Sequence, residues 1–309
     1  MIEMKKNILI TGSTGFIGKN LVEAFKEKHD LLTPTHLELD LTNQNDVGDY
    51  FDKYDIDTVI HCASNGVTKK RSPLPGQTLE TNLRMFFNLA ESRNQYRRLI
   101  NLGSGAEYNK YCNLYNVQET EFGKSIPPDE YGFSKYIISK HIEKTNNMYS
   151  LRLFGIYGKY EDYEFRFISN AIVKNLLHLP ITIRQNTIFS WLYIEDFTKI
   201  LDRFLTRTPH YSSYNITPSV THDLISIAQT INSLSKYKSK IIIENVGKNF
   251  NYTGDNARLK EFIGNLPTTP FDTSIKDLID YYTKILPTID KKAIQKDVYG
   301  TQCTIRKVK

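Results

Sequence analysis

Apolar positions along the chain follow two rhythms, and these alternate through the first half. Residues 7–11, 58–63, 98–103 and 150–154 are short, nearly continuous apolar runs, the pattern of strands buried on both faces. Residues 31–32 and 37–41 predict two further short strands. Between these runs the period lengthens. Ile17, Leu21 and Phe25 recur at four-residue spacing with Lys and Glu between them, which predicts a helix. Leu83, Phe86, Phe87 and Ala90 share one face of a second helix, and residues 131–147 predict a long third. Strands alternating with helices predict right-handed βαβ units. The fold class is α/β, with a doubly wound parallel sheet covered on both faces.

After residue 154 the rhythm breaks. Gly155-Ile156-Tyr157-Gly158 is rich in turn formers, and residues 160–166 are polar and aromatic. Residues 167–177, 222–234 and 274–286 predict helices, and 181–184 and 241–243 predict strands. Ser274 with Asp277 three residues on suggests a helix N-cap pair. The first domain is expected to span 1–154. A smaller mixed α/β lobe is expected over 155–286, with stretches such as 181–206 returning to the first domain. Residues 287–309 form a basic tail without periodicity, expected to be a packed or frayed terminus.

Length and composition narrow the class. At about 150 residues per domain, 309 residues allow about two domains. With 40% hydrophobic and 24% charged residues, the chain has the make-up of a globular protein with a large core. No apolar run approaches the ~20 residues of a membrane helix, and the start enters a short strand with no secretory signal. Neither membrane insertion nor secretion is expected. Cys62, Cys112 and Cys303 are widely spaced and form no Cys-x-x-Cys pair, which argues against a disulfide framework or a metal site and fits a reducing cytoplasm. Lys and Arg number 40 against 34 Asp and Glu, a net charge of +6. These charges are scattered, which suits an anionic small molecule better than nucleic acid. The 20 tyrosines are left unexplained by composition.

Gly12-Ser13-Thr14-Gly15-Phe16-Ile17-Gly18 joins the first strand to the first helix. The first glycine allows a tight turn and the second lets backbone approach a pyrophosphate. The third lets helix and strand pack closely, which makes this a Rossmann-type dinucleotide turn. A P-loop is excluded, because the position five before Gly18 is Ser13 and Asn20 stands where a magnesium-binding hydroxyl belongs. A hydrolase elbow is excluded by Leu102 and Ala106 around Ser104. Asp40 follows the next strand pair and either accepts from an adenine amine or caps a helix over 43–50. Thr33-Pro34-Thr35-His36 lacks the acid that grips a ribose 2′-hydroxyl, and His36 or a nearby lysine could meet a 2′-phosphate. NADP(H) is therefore favoured, with NAD(H) the other option.

Tyr131 and Lys135 stand four residues apart, on one face of the third helix. A nearby ammonium favours the phenolate and lowers a tyrosine pKa. The alternative is a surface Tyr–Lys pair, common in so tyrosine-rich a chain. Ser104 follows the 98–103 strand, at the carboxyl end where open α/β sheets bind ligands. Its hydroxyl can orient a substrate oxygen, or merely cap a loop.

With these features in order, the chain resembles the extended short-chain dehydrogenase/reductases, and within them the nucleotide-sugar epimerase/dehydratase family. The resemblance runs from residues 12–18 through Asp40-Leu41-Thr42, His61-Cys62-Ala63, Asn82, Ser104 and Tyr131/Lys135. It continues in Phe154-Gly155-Ile156-Tyr157-Gly158, residues 191–196 and Tyr214-Asn215-Ile216. It implies that Gly12, Thr14, Gly15, Phe16, Ile17, Gly18, Asp40, Leu41, Cys62, Ala63 and Lys135 bind the cofactor. It also implies that Ser104, Tyr131 and Lys135 are catalytic, that the second lobe binds a nucleotide-diphosphate sugar, and that the protein is a homodimer.

The departures narrow the chemistry. Family 4,6-dehydratases carry an Asp-Glu pair after the serine, where this chain has Gly105 and Ala106. The segment 102–108 looks more like the GDP-fucose synthase-like branch. That branch's cysteine is replaced by Ala106, and its partner histidine has no counterpart in 160–166. Epimerisation at C3 and C5 is therefore not expected, and simple 4-keto reduction remains. The family's phosphate-binding asparagine is replaced by Gly155 and its arginine by Phe189. Ser104, Gly105, Lys159, Arg184 and Arg258 are the candidate substrate contacts, with a solvated surface charge as the alternative for each cation.

The expected reaction is NAD(P)H-dependent reduction of a nucleotide-diphosphate-linked 4-keto-6-deoxy sugar, in deoxysugar biosynthesis for surface polysaccharide. One alternative is an NAD-dependent nucleotide-sugar 4-epimerase. Another is a non-catalytic nucleotide-binding protein of the same fold.

Overall fold

The computed structural model describes residues 5–66, 73–297 and 305–306. Cys303 and most of the tail past 297 lie outside the described residues. The first half runs β1 (Asn7–Thr11), α1 (Phe16–Phe25), β2 (Asp30–Leu32), α2 (Gln44–Lys53), β3 (Thr58–His61), α3 (Gln77–Glu91) and β4 (Arg98–Ser104). It ends with β5 (Leu114–Val117), α4 (Glu130–Ile142) and β6 (Met148–Leu153). The second half runs β7 (Gly155–Tyr157), α5 (Phe167–Leu176), β8 (Ile181–Asn186), β9 (Ile188–Phe189), β10 (Trp191–Tyr193), α6 (Ile194–Thr206) and β11 (Ser213–Ile216). It continues with β12 (His222–Asp223), α7 (Leu224–Leu234), β13 (Ile241–Lys248), β14 (Tyr252–Gly254), α8 (Ala257–Ile263), α9 (Phe271–Ile285) and α10 (Lys291–Gln295).

Six strands form one parallel sheet in the order β11-β6-β4-β3-β1-β2. Successive side chains on a strand point to opposite faces, and here both faces are covered. Ile8, Ile10, Ile60, Ile100 and Leu151 pack with Leu21, Ile172 and Phe197 of α1, α5 and α6. Leu9, Val59, Leu99 and Met148 pack on the other side with Phe51, Phe86 and Ile138 of α2, α3 and α4. Each such side chain, fully buried, contributes about 1.5–3 kcal/mol relative to exposure. Two-sided burial is the reason these strands read as unbroken apolar runs.

The second half contributes to both lobes. Helix α6 packs on α1, and β11 extends the main sheet beside β6. Strand β8 pairs with β13 in a separate two-stranded sheet. A four-stranded sheet, β12-β9-β14-β5, joins an excursion of the first half to the second lobe. No helix among the described residues is long and apolar enough to cross a membrane.

Several local expectations are corrected. Residues 37–41 form a turn, not a strand: Leu39 and Leu41 are buried while Leu37 is 97% exposed, an alternation that mimics β structure. Helix α2 is capped by Asn43, whose side chain accepts from the Asn45 N–H, so Asp40 is not its cap. Helix α4 starts at Glu130, capped by Asp129, and stops at Ile142, five residues short of the expected end. Asp223 caps α7, leaving His222 outside the helix. Ser274 lies inside α9, which starts after Pro270, and its hydroxyl meets that of Tyr157 at 2.7 Å.

Candidate active site

The carboxyl ends of β1, β3 and β4 converge with the start of α4. Gly12 has a φ of +67°, and a Cβ there would lie 2.7 Å from the Ala63 nitrogen. A Cβ on Gly18 would fall 2.2 Å from the Gly12 carbonyl oxygen. Neither position admits a side chain, so the turn draws Cys62 and Ala63 against β1. The Cys62 and Ala63 N–H groups donate to Thr11, at 3.2 Å to its carbonyl and 3.4 Å to its hydroxyl. Helix α1 begins at Phe16 with no side-chain cap and no acid in its first turn. Its leading N–H groups are left for an anion, and Thr14 and Gly15 at the tip are exposed. This cradle fits the pyrophosphate of a dinucleotide.

His61 ends β3 with its Nδ1 2.8 Å from the Thr11 hydroxyl. Burial, and then the Lys135 charge, push its pKa down to about 3, so its ring is neutral. Burial pushes the Cys62 thiol up to about 12, which removes it as a nucleophile at neutral pH. Asp40 turns inward on its own loop, accepting from the Thr42 N–H at 2.9 Å and the Thr42 hydroxyl at 2.8 Å. The Leu41 side chain belongs to the core.

Ser104, Tyr131 and Lys135 meet at the end of β4. The Ser104 Oγ accepts from the Ala106 N–H at 3.2 Å, and the Ser104 N–H donates to Glu107 Oε1 at 2.9 Å. This reciprocal pair is a capping box on the single 3₁₀ turn Gly105–Tyr108. With one Oγ lone pair occupied, the Ser104 hydroxyl is aimed to donate. Lys135 is buried, donates to the Leu102 carbonyl at 2.8 Å, and is held by burial at a pKa of about 8. Tyr131 is half-buried, and burial pushes its phenol above its ordinary value. The Ser104 hydroxyl opposes that shift first, followed by the Arg166 charge. The net shift of the phenol is therefore upward, against the lowering that a nearby ammonium was expected to produce.

Beneath Ser104 lies a buried ion pair. Glu107 Oε2 accepts from Arg152 Nε at 2.6 Å, with both side chains fully buried. Burial alone would depress the Arg152 guanidinium, but Glu107 more than offsets it and holds it above its ordinary value. Arg152 also donates to the hydroxyls of Tyr108 at 3.2 Å and Ser213 at 3.1 Å. Tyr108 donates in turn to Asn215 at 2.8 Å. Sequence reasoning missed this pair, although Ser104-x-x-Glu107 has the spacing of a capping box. It also missed Tyr252, whose Oη lies 3.4 Å from the Ser104 Oγ, and Arg166. Nothing local marks Tyr252, which the topology alone brings to Ser104, or Arg166, whose charge reaches Tyr131 from an exposed position.

Residues 8–217 match the model of the NAD dependent epimerase/dehydratase family, more than half of the chain. The chain belongs to that family. GDP-L-colitose synthase of Yersinia pseudotuberculosis is 27% identical over 185 residues, 55% of this chain and 60% of that one. GDP-6-deoxy-D-talose 4-dehydrogenase of Aggregatibacter actinomycetemcomitans is 23% identical over 253 residues, 76% of this chain and 82% of that one. A GDP-L-fucose synthetase from Naegleria fowleri, solved with NADP bound, superposes with a TM-score of 0.82 at 17% identity, covering 94% of this chain and 96% of that one. This last likeness speaks to the fold alone.

As a member of the epimerase/dehydratase family, the chain is an NAD(P)-dependent enzyme, and its turn and uncapped α1 suit that cofactor. The cations proposed for substrate each face a carboxylate in this structure. Lys159 pairs with Glu23 of α1 at 2.6 Å, Arg184 with Glu244 of β13 at 2.7 Å, and Arg258 stands 3.9 Å from Glu119. In the loop after β2, Glu38 is occupied by the Thr35 N–H and hydroxyl, and His36 stands 3.8 Å from Asp40.

Proposed function

We propose that this enzyme is an NAD(P)H-dependent reductase of a nucleotide-diphosphate-linked 4-keto-6-deoxy sugar, with NADPH the favoured cofactor and a homodimer the working form. The observation that carries the reading is the pairing of two hydroxyl donors, Ser104 and Tyr131. A carbonyl oxygen only accepts hydrogen bonds. Ser104, with one acceptor lone pair taken by the Ala106 N–H, donates to that oxygen and orients it. Tyr131, raised above its ordinary pKa, is fully protonated at neutral pH and gives its proton to the alkoxide that develops at C4. The hydride comes from the bound nicotinamide. Lys135 donates to the Leu102 carbonyl at the end of β4, and in this reading its ammonium also holds the cofactor. Gly105 and Ala106 supply no acid or base, which weighs against dehydration. Relatives named for GDP-linked deoxysugars support this substrate class.

The test is Tyr131→Phe, assayed by NADPH absorbance against 4-keto sugars linked to CDP, dTDP, GDP and UDP. The variant is expected to keep its melting temperature and lose about 10²–10⁴-fold in turnover. Turnover near wild type refutes the assignment. Wild-type turnover without net NADPH consumption points instead to 4-epimerisation, which returns the hydride to the sugar.

A further inference from the structure

The reaction centre holds a third hydroxyl that neither the Tyr–Lys pair nor Ser104 accounts for. Tyr252 opens β14 in the second lobe, 148 residues from Ser104 in sequence, and its Oη stands 3.4 Å from the Ser104 Oγ. Its ring packs on those of Phe154 and Phe189, with centroids 5.1 and 5.4 Å apart. The Phe154 ring lies between Gly105 and Gly254, and a Cβ on either glycine would come within 2.6 Å of it. Gly105 follows Ser104, and Gly254 ends the strand that Tyr252 opens. One ring therefore fixes the spacing of both hydroxyls. Thr253 fastens the same strand from its other side, accepting from the Asn116 N–H at 2.7 Å and donating to the Leu114 carbonyl at 3.2 Å.

Two protein hydroxyls about one hydrogen bond apart match two vicinal oxygens on a pyranose ring. Beside the carbonyl of a 4-keto-6-deoxy sugar, only C3 carries a hydroxyl, because C5 bears the methyl group and the ring oxygen. We propose that Tyr252 determines specificity at C3: with Ser104 on the carbonyl oxygen, Tyr252 hydrogen-bonds the C3 hydroxyl and selects 3-hydroxy over 3-deoxy sugars. The inference rests on the reductase reading for the identity of the reacting carbon. A 3-deoxy ligand offers this half-buried phenol nothing beyond its long contact with the Ser104 hydroxyl, and sites built to bond a hydroxyl discriminate against analogues lacking it.

The experiment compares wild type with Tyr252→Phe, which keeps the ring and removes only the hydroxyl. Titration calorimetry on the NADP⁺-loaded enzyme measures binding of 6-deoxyhexoses linked to CDP, dTDP, GDP and UDP, each beside its 3-deoxy counterpart. Turnover of the matching 4-keto forms is followed in parallel. Wild type is expected to favour the 3-hydroxy member about tenfold or more in Kd and kcat/KM. Tyr252→Phe is expected to erase that preference by weakening the 3-hydroxy member alone. A preference that survives in the variant, or an equal loss for both members, overturns the assignment. A binding preference erased by the variant, in an enzyme that oxidises no NADPH, supports Tyr252 and overturns the reductase reading. Absence of binding by every nucleotide sugar overturns both.

Discussion

Two buried carboxylates, one in each half of the chain, behave in opposite ways. Glu107 lies beneath Ser104 with no exposure, paired to Arg152 at 2.6 Å and accepting the Ser104 N–H. Glu161, 5% exposed, sits in the loop between β7 and α5 with the Ser169 hydroxyl as donor and no such cation against it. Burial pushes Glu161 up to about 8, opposed first by Ser169 and then by the more distant charge of Arg166. Burial alone does not decide what an acid does inside a protein. A matched charge makes it an anchor for the backbone, while hydroxyls alone leave it poised to titrate.

The largest effect is expected where the matched pair is broken. Glu107→Gln keeps an acceptor for the Ser104 N–H but strands the Arg152 charge, and should destabilise the fold by about 3–5 kcal/mol in urea titration. Adding Arg152→Met should recover most of that loss. If the double variant is no better than the single, the charge pair is not what Glu107 is there for. A smaller effect is expected at Glu161. Its folded pKa is raised, so between its ordinary value near 4.5 and about 8 the folded state holds a proton that the unfolded chain releases. Stability should therefore fall as pH rises within that window, by about 1.4 kcal/mol per pH unit, or about 3 kcal/mol between about pH 5.5 and 7.5. Glu161→Gln should flatten this slope, and an unchanged slope in melting temperature against pH would remove Glu161 as its source. The smallest effect is expected at Lys159, whose ammonium is paired to Glu23 on the surface. Lys159→Ala should change stability by under about 1 kcal/mol and leave KM for the sugar unaltered. A marked rise in KM would return Lys159 to the substrate site.

The same contrast explains what could be read before the fold was known. β1, β3, β4 and β6 announce themselves because burial on both faces leaves an unbroken apolar signature. The glycine turn and the Tyr131/Lys135 spacing are equally local, and Ser104 follows from its place at a strand end. Residues 37–41 deceived because a turn that buries alternate leucines imitates a strand. Ser274 deceived because a hydroxyl followed by an acid looks like a cap even inside a helix. Arg152, Tyr252 and Arg166 carry no such signature. Their positions come from strand order and from contacts between the two halves of the chain, and charge alone did not reveal which carboxylates Lys159, Arg184 and Arg258 would face.

The Phe154 ring between Gly105 and Gly254 also limits how such chains can be recombined. The three positions span nearly half the sequence, yet only one steric solution fits all of them. A chimera with a crossover between 105 and 254 inherits the ring from one parent and at least one of its two flanking positions from the other. A hybrid that carries Phe154 keeps this fit only if glycine stands at both 105 and 254, whichever parent supplies each. In this chain, exchange of either half is therefore conditioned on three residues, none of which carries out chemistry.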